Sequence, residues 1–549
     1  MGDPRSPAKP SAVPRCEMSH RSPNAGEARQ ASMALLVVLL LVGAGVAIYF
    51  LDRGSGPGDA LAVDTTSSSS TTATTSSTTA TTTPSTTTTT IPEREPGTVP
   101  GFTVGRPWGE TVGLTMFRGN PTRTFFGGGD VSTEPTVQWT YPDSAMCGSS
   151  SVGGETTVWC GTGWTGQPVV WERPDGITEV IFGAYDHAVH FVDADTGEDL
   201  RPPFPTSDII KGSVTLDPDG YPLLYFGSRD NKLRIVALDR DEPTMLWSID
   251  ATEVNGIWNN DWDSNPVIVD DIMYEGGENG WFFGVVLNRG YDPDGSVTID
   301  PDVVLAMPGY NDELLSHSGR NVSIESSVAV YDQRVYFTNS GGRVVGVDVS
   351  RIREGEAPIV FDYYTGGDID ATPAIDADGM LYLSIEHEPS QMGPFERNRN
   401  LEVGQLVKLD PYTDGDPRLW GVDLTVSGNA DSGSWASPAL YRGMVYLTTH
   451  QGKLIAVDGE TGEVVWSDEV GFHSWSSPVV VNEVLIAATC LGDIRAYSVA
   501  DPRAPAPLWT VNIAGSCLES TPAVWNGRIY LGSRDGYMRA LASPESASN

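Results

Sequence analysis

Residues 456–466, with the sequence AVDGETGEVVW, contain the most complete copy of a short pattern, A-x-D-x-x-T-G-x-x-x-W. Parts of the pattern return elsewhere, at Asp193, Thr196, Gly197, Asp239, Asp348 and Asp410. In such a unit the Asp side chain caps a turn, the Gly supplies a positive φ, and the Trp packs between neighbouring sheets. The pattern therefore predicts a repeated sheet unit that contains one tight turn.

Eight segments of the chain open with a small residue and an uncharged polar residue, followed by an apolar run. They are GQPVVW (166–171), GSVTLD (212–217), SNPVIV (264–269), SSVAVY (326–331), ATPAID (371–376), ASPALY (436–441), SSPVVV (476–481) and STPAVW (520–525). The first column is small in all eight segments and the second is polar in all eight. Successive segments are 40 to 65 residues apart, which is the range of four-stranded propeller blades.

Each segment continues as a strand, a Gly-containing turn and another strand, as in YLTTHQGKLIAVD (446–458). A fourth strand with a Trp follows in several segments, for example LWTVNI (508–513). The eighth segment ends at Ala542 without a fourth strand, and VQWTY (137–141) offers the missing one. We therefore predict an all-β fold, an eight-bladed propeller of four-stranded blades over 137–542 that is closed by the N-terminal strand. The Trp residues assigned to the repeat are Trp139, Trp247, Trp420, Trp466 and Trp509.

These motifs resemble the pyrroloquinoline-quinone-like (PQQ-like) repeat family, which includes quinoprotein alcohol dehydrogenases and the outer-membrane assembly lipoprotein BamB. MFRGNPTRT (116–124), followed by a strand with Trp139, is similar to the lead-in of that family. The resemblance covers roughly residues 115–542. It implies the propeller fold and two different activities: protein binding without catalysis, or a dehydrogenase that holds PQQ and calcium in the axial funnel.

The chain has 549 residues, with 34 Lys and Arg against 72 Asp and Glu, and a net charge of -38. Nucleic-acid binding needs clustered positive charge, so no nucleic-acid partner is expected. Residues 33–51, MALLVVLLLVGAGVAIYFL, are uncharged and would span about 29 Å as a helix, close to one hydrocarbon thickness. We predict a transmembrane helix there, with a short cytoplasmic segment at 1–32. A cleaved signal peptide, or a start at Met18 or Met33, is the alternative.

Five basic residues against three acidic ones before the helix predict a cytoplasmic N-terminus and an extracytoplasmic propeller on a single-pass anchor in the cell membrane. The next segment, 52–101, is predicted to be a disordered linker, because 23 of the 26 residues in 65–90 are Ser or Thr. The linker is either O-glycosylated or an unmodified spacer. We assign 102–136 to the lead-in and 543–549 to a disordered tail.

Cysteine placement agrees with this topology, since Cys16 precedes the helix and four cysteines follow it. The pairs Cys147–Cys160 and Cys490–Cys517 are each close in sequence, and the repeat alignment brings the second pair to one face. We predict both as disulfides in an oxidising compartment.

The residue before each small column residue is expected to circle the mouth of the central channel. These residues are Thr165, Lys211, Asp263, Glu325, Asp370, Trp435, Trp475 and Glu519. Nearby loops add Trp258 and Trp262, and the loops between strands B and C add His187, Arg229, His387, His450 and Arg534. This face is predicted to bind a ligand, with Asp263, Glu325 and Asp370 for calcium and the indoles for stacking. Alternatively, the acids only decorate an acidic protein and the Trp side chains fill blade junctions.

Three functions remain open, and no catalytic residue is predicted. The first is a binding or scaffolding propeller for a protein or envelope component, tethered to the membrane by one helix. The second is the PQQ- and calcium-dependent dehydrogenase that the resemblance implies, although the chain lacks the adjacent Cys pair common in those enzymes. The third is an extracellular sensor that binds a glycan or another small ligand.

Overall fold

The structure is a computed structural model that describes residues 94–152, 155–163, 166–428, 430–471 and 473–544. The chain divides into two compact units, Met1–Pro92 and Glu93–Asn549, and every described residue lies in the second. The predicted cytoplasmic segment, the helix at 33–51 and most of the linker and tail lie outside the described residues. Within the described ranges, no helix is long and apolar enough to cross a bilayer.

The described residues form eight propeller blades, as predicted, and strands A to D of each blade are antiparallel. Blade one contains Gly113–Leu114, Val169–Glu172, Thr178–Ala184, Ala188–Asp193 and Phe204–Pro205, and blade two contains Thr215–Leu216, Leu223–Gly227, Lys232–Ala237 and Thr244–Asp250. Blade three contains Val267–Val269, Ile272–Gly276, Trp281–Val286 and Asp302–Pro308, and blade four contains Ala329–Tyr331, Arg334–Thr338, Arg343–Asp348 and Ile359–Tyr364. Blade five contains Ala374–Ile375, Leu381–Ser384, Leu406–Leu409 and Arg418–Val422, and blade six contains Ala439–Tyr441, Met444–Thr448, Lys453–Asp458 and Val464–Glu469. Blade seven contains Val479–Val481, Val484–Ala488, Asp493–Ser498 and Ala506–Asn512, and blade eight contains Gly127–Gly128, Ala523–Trp525, Arg528–Gly532, Met538–Ala542 and Thr136–Tyr141.

Short elements decorate the blades. The two-stranded sheets are Cys147–Val152 with Glu155–Cys160, Gly290–Tyr291 with Val297–Thr298, and Glu386–His387 with Ser432–Gly433. The helices are α1 (Asp312–Ser318) and α2 (Pro394–Val403), and the 3₁₀ turns are Gly101–Thr103, Ala251–Glu253 and Ile352–Glu354. Both predicted disulfides, Cys147–Cys160 and Cys490–Cys517, are present.

The ring closes as the sequence predicts. Strand Thr136–Tyr141 pairs antiparallel with Met538–Ala542, and Trp139 lies opposite Ala540. Its indole Nε1 donates a 3.0 Å hydrogen bond to the carbonyl oxygen of Ala194 in blade one. The N-terminal strand thus completes blade eight and also contacts the blade that follows it in the ring.

The repeated Asp, Thr and Gly form the turn onto which the previous blade packs. Oδ1 of Asp458 accepts hydrogen bonds from the backbone N–H of Thr461 at 2.9 Å and from its hydroxyl at 3.1 Å. Gly462 has a φ of +75°, and a Cβ there would lie 2.9 Å from the indole of Trp420 in blade five. Only Gly accommodates both the conformation and the close approach. The turn therefore links one blade to its neighbour.

The uncharged polar column forms a hydrogen-bonded belt from blade to blade. Oγ of Ser477 accepts a 2.9 Å bond from the N–H of Ser437, and Oγ of Ser437 accepts one from the N–H of Thr372. The same bond joins blades one to two, three to four and four to five. A side chain without a hydrogen-bond acceptor would leave a buried N–H unpaired, which explains why this column is polar.

The lead-in fills the channel on the far side of this belt. Its residues 115–126, here named the plug, contain Arg118 and Arg123, both fully buried. The Arg118 guanidinium donates to the carbonyl oxygens of Arg123, Ser437 and Pro438, at 2.7 to 3.1 Å. The Arg123 guanidinium donates to carbonyl oxygens of Val328, Phe117 and Asn265 and to Oδ1 of Asn265. The plug therefore ties several blades together at the axis.

Candidate functional site

One hydrogen bond recurs in all eight blades and builds the face opposite the plug. In each blade, an N–H of the loop between strands B and C donates to a carbonyl of the loop that leads into strand A, at 2.9 to 3.1 Å. The pairs are Tyr185 to Gly161, Arg229 to Ile209, Glu278 to Asp261, Ser340 to Ser323, Glu386 to Asp368, His450 to Gly433, Cys490 to His473 and Arg534 to Cys517. These sixteen loops share one face of the propeller, which we name the mouth.

The first part of the mouth, the paired sector, lies on blades two and three. Asp261, Asp263 and Glu278 are buried, and their carboxylate oxygens lie within 4.8 Å of one another. The Lys211 ammonium forms an ion pair with Asp263 and lies 3.7 Å from Oε1 of Glu278. Nε of Arg229 lies 2.5 Å from Oδ2 of Asp261. Burial and the Glu278 carboxylate raise the pKa of Asp261 to about 8, while Arg229 opposes the rise.

The second part, the unpaired sector, consists of Asp368, Glu386 and Glu388 on blade five, whose carboxylate oxygens also lie within 4.8 Å of one another. Oδ1 of Asp368 and Oε1 of Glu386 are buried and accept no hydrogen bond. Burial and the nearby Asp370 raise the pKa of Asp368 and of Glu386 well above their ordinary values. Burial, with Asp431 and Asp370, raises the pKa of Glu388 to about 7. Among the described residues, none of these three carboxylates has a Lys, Arg or His ion-pair partner.

The third part, the aromatic sector, consists of Trp435, His450, His473 and Trp475 on blades six and seven. The ring centroids of Trp435 and His450 are 4.2 Å apart, and those of His450 and His473 are 4.4 Å apart. Nε1 of Trp475 donates a 3.2 Å hydrogen bond to Nδ1 of His450. Trp435 is buried, whereas the other three side chains are half-buried. The sector therefore presents a rigid aromatic surface with imidazole polar groups.

A disulfide-closed hairpin, Cys147–Val152 with Glu155–Cys160, covers the mouth next to blades eight, one and two. The ring of Trp159 lies 4.9 Å from the Arg534 guanidinium and 5.4 Å from that of Arg229. Arg534 in turn forms a 3.2 Å ion pair with Oε2 of Glu519, which is 1% exposed. The hairpin thus holds the cationic groups of the mouth in place through cation–π contacts.

The structure places the residues predicted for the ligand face in different environments. Asp263 and Glu519 are ion-paired, and Trp435 and Trp475 contact each other with centroids 6.1 Å apart. Glu325 accepts a 2.9 Å bond from Oγ of Ser323, and Asp370 a 3.4 Å bond from Oγ of Ser340. Trp258 is half-buried in the loop leading into blade three. Thr165 lies outside the described residues.

Trp262, which was predicted for the ligand face, is buried in the structure. Its side chain is 0% exposed, its ring centroid lies 5.3 Å from that of Phe283, and its Nε1 donates to the carbonyl of Asn231. The indole therefore packs in the core between blades two and three. A Trp in a loop sequence gives no indication of which way its side chain points.

In the predicted calcium set, Asp263, Glu325 and Asp370, the Lys211 ammonium forms an ion pair with Asp263 and lies 4.0 Å from Oε2 of Glu325. The convergent carboxylates include Glu278, Asp368, Glu386 and Glu388, which the sequence analysis did not select. A signal for them existed. Asp261 and Asp368 lie three residues before the small column, and Glu278 and Glu386 lie two residues after strand B, the positions that the recurring hydrogen bond joins.

Comparison with known proteins shows what part of this architecture is similar to. A family model described as "Outer membrane protein assembly factor BamB" matches residues 402–544. This match and a weak relative support a β-propeller of the PQQ-like repeat type. The outer membrane protein assembly factor BamB of Moranella endobia (strain PCIT) is 25% identical over 191 residues, which are 33% of this chain and 45% of that relative. The matched part is less than half of the relative's length.

Solved structures also resemble this PQQ-like repeat propeller. BamB from Moraxella catarrhalis is 18% identical with a TM-score of 0.48, and the match covers 66% of this chain and 93% of that one. Sqt1 from Saccharomyces cerevisiae is 10% identical with a TM-score of 0.49, covering 70% and 97%. The computationally designed Ika8 protein is 12% identical with a TM-score of 0.47, covering 66% and 93%.

The residues of this PQQ-like repeat propeller fit the quinone itself poorly. The two disulfides join cysteines 13 and 27 residues apart, so neither offers the adjacent-cysteine ring expected beside the quinone. Trp435 is 6% exposed and packs against His450 and Trp475. Beyond the belt, the plug arginines fill the axis. The mouth therefore suits a small cation or a polar side chain better than a tricyclic quinone.

Proposed function

We propose that this propeller is a non-catalytic binding module of the cell envelope that holds a partner protein at its mouth. The aromatic sector carries the proposal, because it places half-buried His450, His473 and Trp475 together on the rim. Rigid aromatic side chains with polar groups at their edges supply the buried anchors of protein interfaces at a small entropic cost.

Two further observations support a protein partner in the envelope. The match to the family described as an outer membrane protein assembly factor spans 402–544, which contains the aromatic sector, blades six and seven and the C-terminal strands of blade eight. The two disulfides suit an oxidising compartment, and the predicted anchor and linker would hold the propeller outside the membrane.

Charge defines the kind of partner surface that fits. The chain has a net charge of -38, and the unpaired sector adds carboxylates next to the aromatic rim on blade six. Such a field accelerates association with a basic surface and disfavours an acidic one. The partner is therefore a protein segment that presents an aromatic or aliphatic anchor flanked by Lys or Arg.

The test is affinity capture from a membrane extract of the source organism, with the purified chain as bait. The variant is the double substitution His473→Ala with Trp475→Ala, and the matched control is Trp171→Ala, a half-buried indole at the far end of strand A in blade one. We expect one protein to be captured by the wild type and the control and lost from the double variant. Equal capture by all three proteins would contradict the proposal.

The alternatives give other results. Binding to a glycan array that is lost in the double variant, with no protein captured, would favour the glycan or small-ligand sensor. Dye reduction with alcohols after incubation with PQQ and calcium would show a quinoprotein dehydrogenase and overturn the non-catalytic function.

A further inference from the structure

Two groups of three carboxylates lie on the same mouth, all buried in the paired sector and buried or half-buried in the unpaired sector, and the groups differ in their counter-charges. In the paired sector, Lys211 and Arg229 lie against Asp261, Asp263 and Glu278. In the unpaired sector, the polar partners are amides: Nδ2 of Asn321 lies 3.3 Å from Oδ2 of Asp368, and Nε2 of Gln391 lies 2.8 Å from Oε2 of Glu388. An amide N–H group donates a hydrogen bond to one carboxylate oxygen, but it does not neutralise the negative charge of the carboxylate.

The lack of a basic partner costs free energy when a carboxylate is buried. Glu386 is 2% exposed, and its Oε1 accepts no hydrogen bond, as is also true of the buried Oδ1 of Asp368. Uncompensated carboxylates are unfavourable away from water, so such groups in folded proteins are neutralised by a proton, a basic side chain or a metal ion. Within the described ranges no basic side chain pairs with these three carboxylates.

The backbone around the unpaired sector holds the three side chains in a fixed arrangement. The N–H of Glu386 donates a 2.9 Å bond to the carbonyl of Asp368, and strand Glu386–His387 pairs with Ser432–Gly433 of the next blade. Nδ2 of Asn400, from helix α2, donates a 2.9 Å bond to the carbonyl oxygen of Glu386. Main-chain pairing therefore brings the backbone of Asp368 next to that of Glu386, and Glu388 follows two residues later.

We propose that Asp368, Glu386 and Glu388 bind one calcium ion on blade five, independently of any partner protein and of a quinone. Carboxylate oxygens are the ligands that hard divalent cations take. Calcium accepts the irregular, carboxylate-rich geometry that three side chains from two loops provide, whereas magnesium requires a near-ideal octahedron and keeps most of its water. Bound calcium would supply the positive charge that Lys211 supplies in the paired sector.

Calorimetric titration of the purified chain, stripped with a chelator, tests the proposal with CaCl₂ as the probe. We expect one calcium ion per chain and a melting temperature that rises when calcium is added. Replacing a carboxylate ligand in Glu386→Gln should weaken calcium binding about 100-fold or more, and Asp368→Asn should act in the same direction. The matched control is Glu519→Gln, a buried mouth carboxylate that is paired with Arg534 and should keep wild-type affinity.

The variants also separate ligand loss from misfolding. In chelator, Glu386→Gln should melt at or above the wild-type temperature, because the amide removes an uncompensated charge, and in calcium it should melt below the wild type. Absence of calcium binding by the wild type, equal loss in Glu519→Gln, or magnesium binding as tight as calcium binding would overturn the proposal. Partner capture is measured separately, so the proposed function can fail while this site stands.

Discussion

The two ends of the axial channel both bury charged side chains, but they differ in whether the hydrogen bonds of those side chains are satisfied. At the plug, Arg118 and Arg123 are fully buried, and their guanidinium groups donate to backbone and amide oxygens. Burial lowers the pKa of each to about 9. At the mouth, Glu386 and Asp368 each keep a buried oxygen without any donor. A buried charge whose hydrogen bonds are satisfied acts as a structural tie, whereas an unsatisfied carboxylate must be neutralised by a proton or by a bound cation.

The largest loss of stability is expected at the plug, where the hydrogen bonds of the buried charges are satisfied. Arg123→Ala removes four buried hydrogen bonds and opens a void, so it should lower the free energy of unfolding by about 5 kcal/mol. Denaturant titration measures the loss. Arg351→Ala, at an exposed ion pair, is the control and should change stability by less than about 1 kcal/mol. A small loss in Arg123→Ala would mean that the plug does not tie the blades.

The next prediction removes the basic partner of the paired sector, so that this sector comes to resemble the unpaired sector. Lys211→Met removes the ammonium from Asp263 and Glu278, which should lower the free energy of unfolding by about 3 kcal/mol in the absence of calcium. The freed carboxylates should then bind a second calcium ion, seen as a doubled stoichiometry in the calorimetric titration. An unchanged stoichiometry would show that convergent carboxylates alone do not make a site on this face.

A third prediction concerns Glu275, a buried carboxylate of blade three whose oxygens accept no hydrogen bond. Burial raises its pKa from 4.5 to about 8, while Arg123 opposes the rise. Between these pH values the folded protein keeps a proton that the unfolded chain has released, so stability falls as the pH rises through this window. Glu275→Gln should remove a decline of about 2 kcal/mol between pH 5 and pH 7. Parallel pH profiles for the two proteins would contradict this.

The smallest effect is expected in the belt between the two ends. Ser477→Ala leaves the N–H of Ser437 without its acceptor, which should lower the free energy of unfolding by about 1 kcal/mol. Ser477→Thr keeps a hydroxyl and serves as the control. Thermal melting of both variants gives the comparison, and identical melting of Ser477→Ala and wild type would assign the polar column another role.

The blade count, the ring closure and both disulfides could be predicted because they depend on recurrence and spacing. Small and polar columns repeat in every blade, and the strand that contains Trp139 supplies the fourth strand that the eighth segment lacks. What the polar column does was not evident from the sequence, since its bonds run between residues about 40 to 65 positions apart.

The candidate site was only partly predictable for a related reason. Asp368 and Glu386 come from different loops, and the hydrogen bond that joins those loops is formed only in the folded blade. The rim column alone selected Asp263, whose charge is already balanced by Lys211, and it could not show that Trp262 points into the core. Side-chain direction and charge pairing are tertiary properties that a column of residue types does not contain.

The closing strand also sets the order in which the molecule can be completed. Gln138 and Ala542 are hydrogen-bonded partners 404 residues apart, so one of the earliest strands to leave the ribosome waits for the last strand of the chain. During that interval the strand edge around Val137 stays open to pairing with other chains, a common start of aggregation. Slow synthesis or loss of the last strands therefore endangers the closure of the whole ring.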